Sequence, residues 1–163
     1  MHAQPSESLR LTLADADATT ALAMRLAPLL RAGAVLWLQG ELGAGKTSFA
    51  RALLQALGVR ERIKSPTYSL VEHYQTAAAQ SAWHLDLYRI GSVRELDELG
   101  LDALREPAAL VLIEWPERGV AALPPADLQV SLVHAGAGRQ VQLQACSTRA
   151  RQWLSELAAA RDA

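Results

Sequence analysis

The sequence predicts an α/β fold built on a mixed central sheet flanked by helices, and three observations predict it. Two continuous apolar runs, Val35-Leu36-Trp37-Leu38 and Ala109-Leu110-Val111-Leu112-Ile113, have the length and content of strands buried on both faces. Leucines at helical spacing lie before, between and after them. Alternating apolar and polar segments, such as Asp127 to His134 and Arg139 to Ala145, add antiparallel strands. Buried strands joined by helical crossovers, with alternating strands around them, make a mixed sheet. The 163 residues suggest a single domain, 1–163, with its core from about 9 to 160, and an apolar content of 50% is enough to build that core.

Taken in order, Leu9 to Leu13 alternates and reads as a short edge strand. Asp15 or Asp17 caps the next helix, in which Leu22, Leu26, Leu29 and Leu30 share a face and Pro28 marks the last turn or a kink. Gly33 leads into the first buried strand. A helix follows from about Lys46 to Leu57, with Phe49, Leu53, Leu54 and Leu57 on one face and Gly58 as its stop. Pro66 holds Ser65 extended, so Ile63 to Tyr68 is a shaped connector. Ser69 to Tyr74 and Ala82 to Ile90 read as a hairpin, with His84, Asp86 and Tyr88 on one face of its second strand and Trp83, Leu85 and Leu87 on the other. Val93 to Leu104 reads as short helical pieces broken at Gly100. The second buried strand ends in Glu114-Trp115-Pro116. The late alternating strands form a hairpin around Ala135-Gly136-Ala137-Gly138. Ala150, Trp153, Leu154 and Leu157 make a C-terminal amphipathic helix, with Ser147 as its cap.

Charge and cysteine usage narrow the classes of function. A net charge of −1 gives no sign of a free-standing nucleic-acid binder. The single cysteine, Cys146, cannot form an internal disulfide, fits a reducing cytoplasm, and reads as a packing residue. Met1 to Arg10 lacks the layout of a signal peptide, and no apolar run approaches the ~20 residues of a membrane span. His2, His73 and His134 are scattered, and no Cys/His spacing suggests zinc.

The chemistry concentrates at Gly40-Glu41-Leu42-Gly43-Ala44-Gly45-Lys46-Thr47, which reads G-x-x-x-x-G-K-T. The glycines let successive backbone N–H groups turn toward one phosphate. Lys46 brings a positive charge to the β- and γ-phosphates, and Thr47 offers its hydroxyl to Mg²⁺. The following helix adds its N-terminal amides and the positive end of its dipole. A strand before the loop and a helix after it are the context that this P-loop needs, so the chain reads as a single P-loop NTPase domain.

Such a loop needs a carboxylate for the Mg²⁺ shell at the end of a neighbouring apolar strand, and Glu114 stands there, although an acidic strand end can also simply face water. Thr67 can sense the γ-phosphate from its connector, or Ser65-Pro66-Thr67 can be a turn with local side-chain bonds. Asp86 can orient or deprotonate water or join the metal shell; otherwise its strand face is solvated. His84 reads as structural rather than as a ligand. Arg89 and Arg118 are candidates to place positive charge on the phosphates, and surface solvation is the alternative for both. Trp37, Trp83 and Trp153 are core candidates, whereas Trp115, next to Glu114, can touch the nucleotide or gate the site.

Several strings occur together in a telling order: the P-loop, Lys64-Ser65-Pro66-Thr67-Tyr68, His84-Leu85-Asp86-Leu87-Tyr88-Arg89, Glu98-Leu99-Gly100-Leu101 and Ile113-Glu114-Trp115-Pro116-Glu117. Together they resemble the bacterial TsaE (YjeE) family over about Leu11 to Val133. Ser48 stands where a second threonine is common, and the tail after Gln140 matches only in outline. The resemblance implies a small cytoplasmic ATPase, using ATP and Mg²⁺, in the pathway that makes threonylcarbamoyladenosine at tRNA position 37. It implies TsaB and TsaD as partners, which ATP hydrolysis resets between rounds, with tRNA met indirectly through that complex. By the same resemblance Thr47 and Glu114 hold Mg²⁺, Lys46, Thr67, Asp86 and Glu114 serve hydrolysis, and Gly43, Ala44, Gly45, Lys46, Thr47, Ser48 and Trp115 meet the nucleotide. The adenine is expected near Ala16.

Two other readings compete. A small-molecule kinase suits the length but needs an arginine-bearing lid, and Arg60, Arg62 and Lys64 form only a short cluster. A nucleotide-dependent binding module would need no hydrolysis, and an Asp86→Ala variant that still supports tRNA modification would favour it. No N/T-K-x-D string for guanine is present, which argues against a GTPase.

Overall fold

The structure, a computed structural model, describes residues 7–162; His2 and the start of the Met1–Arg10 segment lie outside the described residues. The strands are β1 (Ser8–Leu13), β2 (Ala34–Gln39), β3 (Val71–Gln75), β4 (Ser81–Asp86), β5 (Leu110–Glu114), β6 (Leu128–Ala135) and β7 (Gly138–Ala145). The α-helices are α1 (Ala16–Leu26), α2 (Lys46–Ala56), α3 (Val93–Glu98) and α4 (Thr148–Asp162). Short 3₁₀ turns fill several of the connections.

All seven strands form one mixed sheet in the order β1-β7-β6-β2-β5-β4-β3. The centre is parallel: β2 lies between β5 and β6, and β4 continues on the far side of β5. β3 closes one edge antiparallel to β4, while β7 and then β1 close the other. The predicted hairpins are both present, yet each contributes one strand to the parallel centre.

Period-2 alternation sorts the side chains of β2 and β5 onto two cores. Ala34, Leu36, Leu38, Leu110 and Leu112 face the larger core, which takes Leu22, Leu26 and Leu30, Phe49, Leu53 and Leu54, and Leu154 and Leu157 from the helical segments. Val111, Ile113, Leu85 and Leu87 face the smaller one, closed by Leu96, Leu104 and Leu123. Among the described residues, no helix is long and apolar enough to cross a membrane.

Local signals explain most ends. The Asp15 side chain accepts the Ala18 N–H at 2.9 Å and starts α1. α1 stops at Leu26, and Pro28 lies in the 3₁₀ turn Ala27–Leu30, where Leu29 is only partly buried. Gly58, at φ 85°, follows the end of α2, and Gly100, at φ 63°, separates α3 from the next turn. Ser147 Oγ accepts the Ala150 N–H at 3.2 Å at the start of α4.

Other expectations need correction. β3 begins at Val71 rather than Ser69, because Leu70 adopts a left-handed φ of 67° and its N–H bonds the Pro66 carbonyl, closing a turn. β4 ends at Asp86 rather than Ile90, since the chain turns there and the Ile90 N–H bonds the Leu87 carbonyl. Cys146 is exposed and is not a packing residue; it follows the last residue of β7, where alternation no longer dictates burial. Among the tryptophans Trp153 is buried, whereas Trp37 and Trp83 lie half-buried at the margin of the smaller core.

One polar knot ties the sheet to α4. Asp127, just ahead of β6, accepts the Val35 N–H at 2.9 Å and two N–H donors of Arg149 at 3.1 and 2.8 Å. Burial alone would raise this carboxyl, but the Arg149 and Val35 donors outweigh it and hold it below the usual carboxylate range. A lowered folded pKa gives stability that is present above the unfolded value and is lost as pH falls through the folded one. Asp127→Asn is therefore expected to cost about 1–3 kcal/mol in urea unfolding at neutral pH, and to flatten the loss of stability on acidification below about pH 4.

Candidate functional site

The parallel strands end on one side of the sheet, where ligands of open α/β sheets bind. Between β2 and α2 the P-loop spans residues 40–45, and its glycines take conformations that side chains resist. Gly45 has φ 107° at the entry to α2, and a Cβ on Gly40 would stand 2.5 Å from the Leu132 carbonyl oxygen. β6 thus packs against the loop so closely that only glycine fits.

A cleft of about 330 Å³ opens at this end. Its walls hold Gly43, Gly45, Lys46, Thr47, Ser48, Thr67, Asp86, Glu114 and Trp115. A second cleft of about 180 Å³ holds Ala16 and Ala44 and shares Gly45, Ser48 and Arg139 with the first. Every residue expected to meet the nucleotide therefore lies on one of two adjoining walls.

Lys46 is 4% exposed. Its Nζ donates to the Gly40 and Glu41 carbonyls and lies 4.2 Å from the centroid of the Trp115 ring. Burial lowers the pKa of this ammonium, and the charges of Glu114, Asp86 and Glu117 oppose that. The lysine is thus seated on carbonyls of its own loop.

Glu114 closes β5 directly beside the loop, since β5 pairs with β2. It is 2% exposed, so the water-facing alternative does not hold. Thr47 Oγ1 donates to its two carboxylate oxygens at 2.8 and 3.0 Å. These are hard oxygen donors side by side at the cleft floor, the share that Mg²⁺ takes from a protein when phosphates and water supply the rest.

Asp86 stands opposite Glu114 in the β4–β5 register. It too is buried, which overturns the solvated alternative. Burial raises its pKa, the Glu114 charge adds to that, and a hydrogen bond from the Tyr88 N–H at 3.0 Å works the other way. The Thr67 hydroxyl shares a 2.7 Å hydrogen bond with Ser65, the local side-chain bond of a turn, and the residue also lines the cleft. Trp115 adopts a left-handed φ of 57° directly before Pro116, a costly conformation that turns its ring toward Lys46 and within 5.0 Å of the Tyr88 ring.

Of the two candidate arginines, Arg89 alone lines the cleft. Arg89 lines its wall but lies 4.8 Å over the Tyr68 ring, and Arg118 packs on Tyr88 and Trp115 at 5.1 and 5.6 Å. His84, expected to be structural, is fully buried, and its Nε2 lies 2.6 Å from Glu114 Oε2, so it positions the carboxylate. That partner becomes readable only once β4 pairs with β5. One residue was not singled out from the sequence. Arg139, at the start of β7, donates from Nε to the Ala44 carbonyl at 2.9 Å. Its signal was a basic residue beside a tight hairpin turn, which matters only because β6 runs parallel to β2 and carries that turn to the ligand side of the sheet.

Known proteins share this fold and much of this sequence. Residues 13–141 match the family described as threonylcarbamoyl adenosine biosynthesis protein TsaE. A tRNA threonylcarbamoyladenosine biosynthesis protein TsaE from Haemophilus influenzae is 39% identical over 109 residues, which cover 67% of this chain and 68% of that protein. The protein of the same name from Bacillus subtilis is 30% identical over 152 residues, 93% of this chain and 94% of the other. The crystal structure of Bacillus subtilis YdiB aligns with a TM-score of 0.79 at 28% identity, covering 99% of both chains. With the family match running from the end of β1 into β7 and the strings around both clefts inside it, the chain belongs to the TsaE family, named for threonylcarbamoyladenosine biosynthesis.

Proposed function

We propose that this chain is a cytoplasmic Mg²⁺-dependent ATPase that serves threonylcarbamoyladenosine formation at tRNA position 37 by resetting a TsaB–TsaD complex. The observation that carries the ATPase reading is the Thr47–Glu114 pair at the foot of the P-loop, with Lys46 and Asp86 on the same cleft. The pathway and the partners rest on family membership.

In this reading the adenine takes the cleft beside Ala16, and the phosphates take the cleft between the P-loop and β4. The loop amides and the N-terminus of α2 bind the phosphate oxygens. Lys46 leaves its carbonyl seats for the β- and γ-phosphates and stabilises the charge that develops on the transferred group. Thr47 and Glu114 would hold Mg²⁺, which would supply positive charge against the phosphates there. Asp86, its carboxyl raised by burial, orients the attacking water and accepts its proton. Thr67 reports the γ-phosphate through its connector.

Arg89 and Arg118 are each stacked on aromatic rings, and Arg139 is bonded to backbone carbonyls. With these three arginines engaged in contacts of their own, the isolated chain is expected to turn over slowly. Phosphate release from ATP, followed with and without purified TsaB–TsaD, tests this. Stimulation of about tenfold or more supports the reset role, since a finger supplied in trans is worth roughly 10³–10⁵ where it is fully deployed. A rate that TsaB–TsaD leaves unchanged contradicts it.

A further inference from the structure

A phosphate-binding loop works only if its N–H groups point inward, which turns its carbonyls outward. Those carbonyls need partners, or the loop drifts among conformations and must be ordered again at each binding event. Here two cations take four of them. Lys46 Nζ holds the Gly40 and Glu41 carbonyls. Arg139 holds two more, Ala44 through Nε at 2.9 Å and Gly43 through a terminal nitrogen at 3.4 Å, while its other terminal nitrogen is anchored on the Gly138 carbonyl at 2.9 Å. Arg139 is half-buried and forms part of the wall shared by both clefts.

The two clamps are not equivalent. In the nucleotide-binding reading Lys46 exchanges its carbonyls for phosphate, whereas Arg139 can act on the phosphates through the loop carbonyls that it holds. The geometry points to Arg139 as a positioning residue that pre-orders the P-loop for phosphate, acting through the Gly43 and Ala44 carbonyls rather than on the reacting atoms. The inference rests on the nucleotide-binding reading above. Its chemistry is that of the planar fork, which presents several donors at fixed angles; a lysine brings the charge without the fork.

The test is calorimetric titration of the full chain with magnesium ADP and, separately, with magnesium tripolyphosphate, for wild type, Arg139→Ala and Arg139→Lys. Both variants are expected to bind both ligands about tenfold more weakly, the size of losing hydrogen bonds from a charged group. At saturating ATP, kcat should stay within about threefold of wild type, so the loss falls on KM. Hydrogen exchange across residues 40–47 of the free protein should be faster in both variants, with unchanged thermal unfolding elsewhere.

Several results would overturn the proposal. Equal binding by Arg139→Ala and wild type removes it. Weakened ADP with unchanged tripolyphosphate makes Arg139 a contact of the nucleoside side instead. Full recovery in Arg139→Lys makes it a point charge, and a fall in kcat at unchanged KM makes it a finger. If Arg139→Ala fails to fold, the lysine variant carries the same comparison. If wild type binds neither ligand, the nucleotide reading fails and this proposal fails with it.

Discussion

Lys46→Met is expected to lower kcat/KM for ATP by about 10³-fold and to weaken nucleotide binding in the same protein. The lysine is the cation that the structure buries deepest at the cleft, 4% exposed, with its ammonium beside Glu114, Asp86 and Glu117. Methionine keeps an unbranched stem of similar volume but removes the ammonium and with it the cation–π contact to Trp115, so the loop loses charge and donors rather than volume. The Gly40 and Glu41 carbonyls would then lack their donor. Stability should therefore fall only modestly while function falls steeply. Phosphate release and thermal unfolding measured on one preparation separate the two effects. A variant that hydrolyses ATP at the wild-type rate would show that the phosphates do not sit on this loop.

Glu114→Gln should lower phosphate release by roughly 10²–10³-fold, the scale on which single electrostatic groups act in such sites. The amide keeps the shape that meets Thr47 and His84 but not the charge that Mg²⁺ needs. Its effect on stability should have the opposite sign. Glu114 and Asp86 face each other in register on adjacent strands, both buried, and the Glu114 charge helps to raise the Asp86 pKa. Removing one of two like charges relieves that conflict, so the variant is expected to melt at or above the wild-type temperature, a trade of stability against activity. Loss of activity together with a lower melting temperature would instead assign Glu114 a structural role.

These residues also show what the sequence makes legible. The P-loop, its strand and its helix are local, and local spacing reveals them. Glu114 could be placed because a buried strand followed by an acidic residue is itself a local pattern. The parallel centre was only half visible. Nothing in the alternation of Ala82 to Asp86 or Leu128 to Ala135 says which strand lies beside β5 or β2, because each hairpin satisfies its own pattern. That pairing decides the burial of Asp86 and the partnership of His84 with a carboxylate 30 residues away. Arg139 was harder still, since its carbonyl partners lie 95 and 96 residues back and accept from it through backbone atoms that leave no side-chain signature. Strand ends were missed where backbone conformation overrode side-chain pattern, as at Leu70 with its left-handed φ.

The most direct measurement is the calorimetric titration of wild-type protein with ATP, in Mg²⁺ and again in excess EDTA. The account predicts saturable binding of one ATP per chain that tightens when Mg²⁺ is present, because Thr47 and Glu114 engage the ion only alongside the phosphates. No saturable binding, or an affinity indifferent to Mg²⁺, would contradict the claim that this cleft is a Mg²⁺–ATP site.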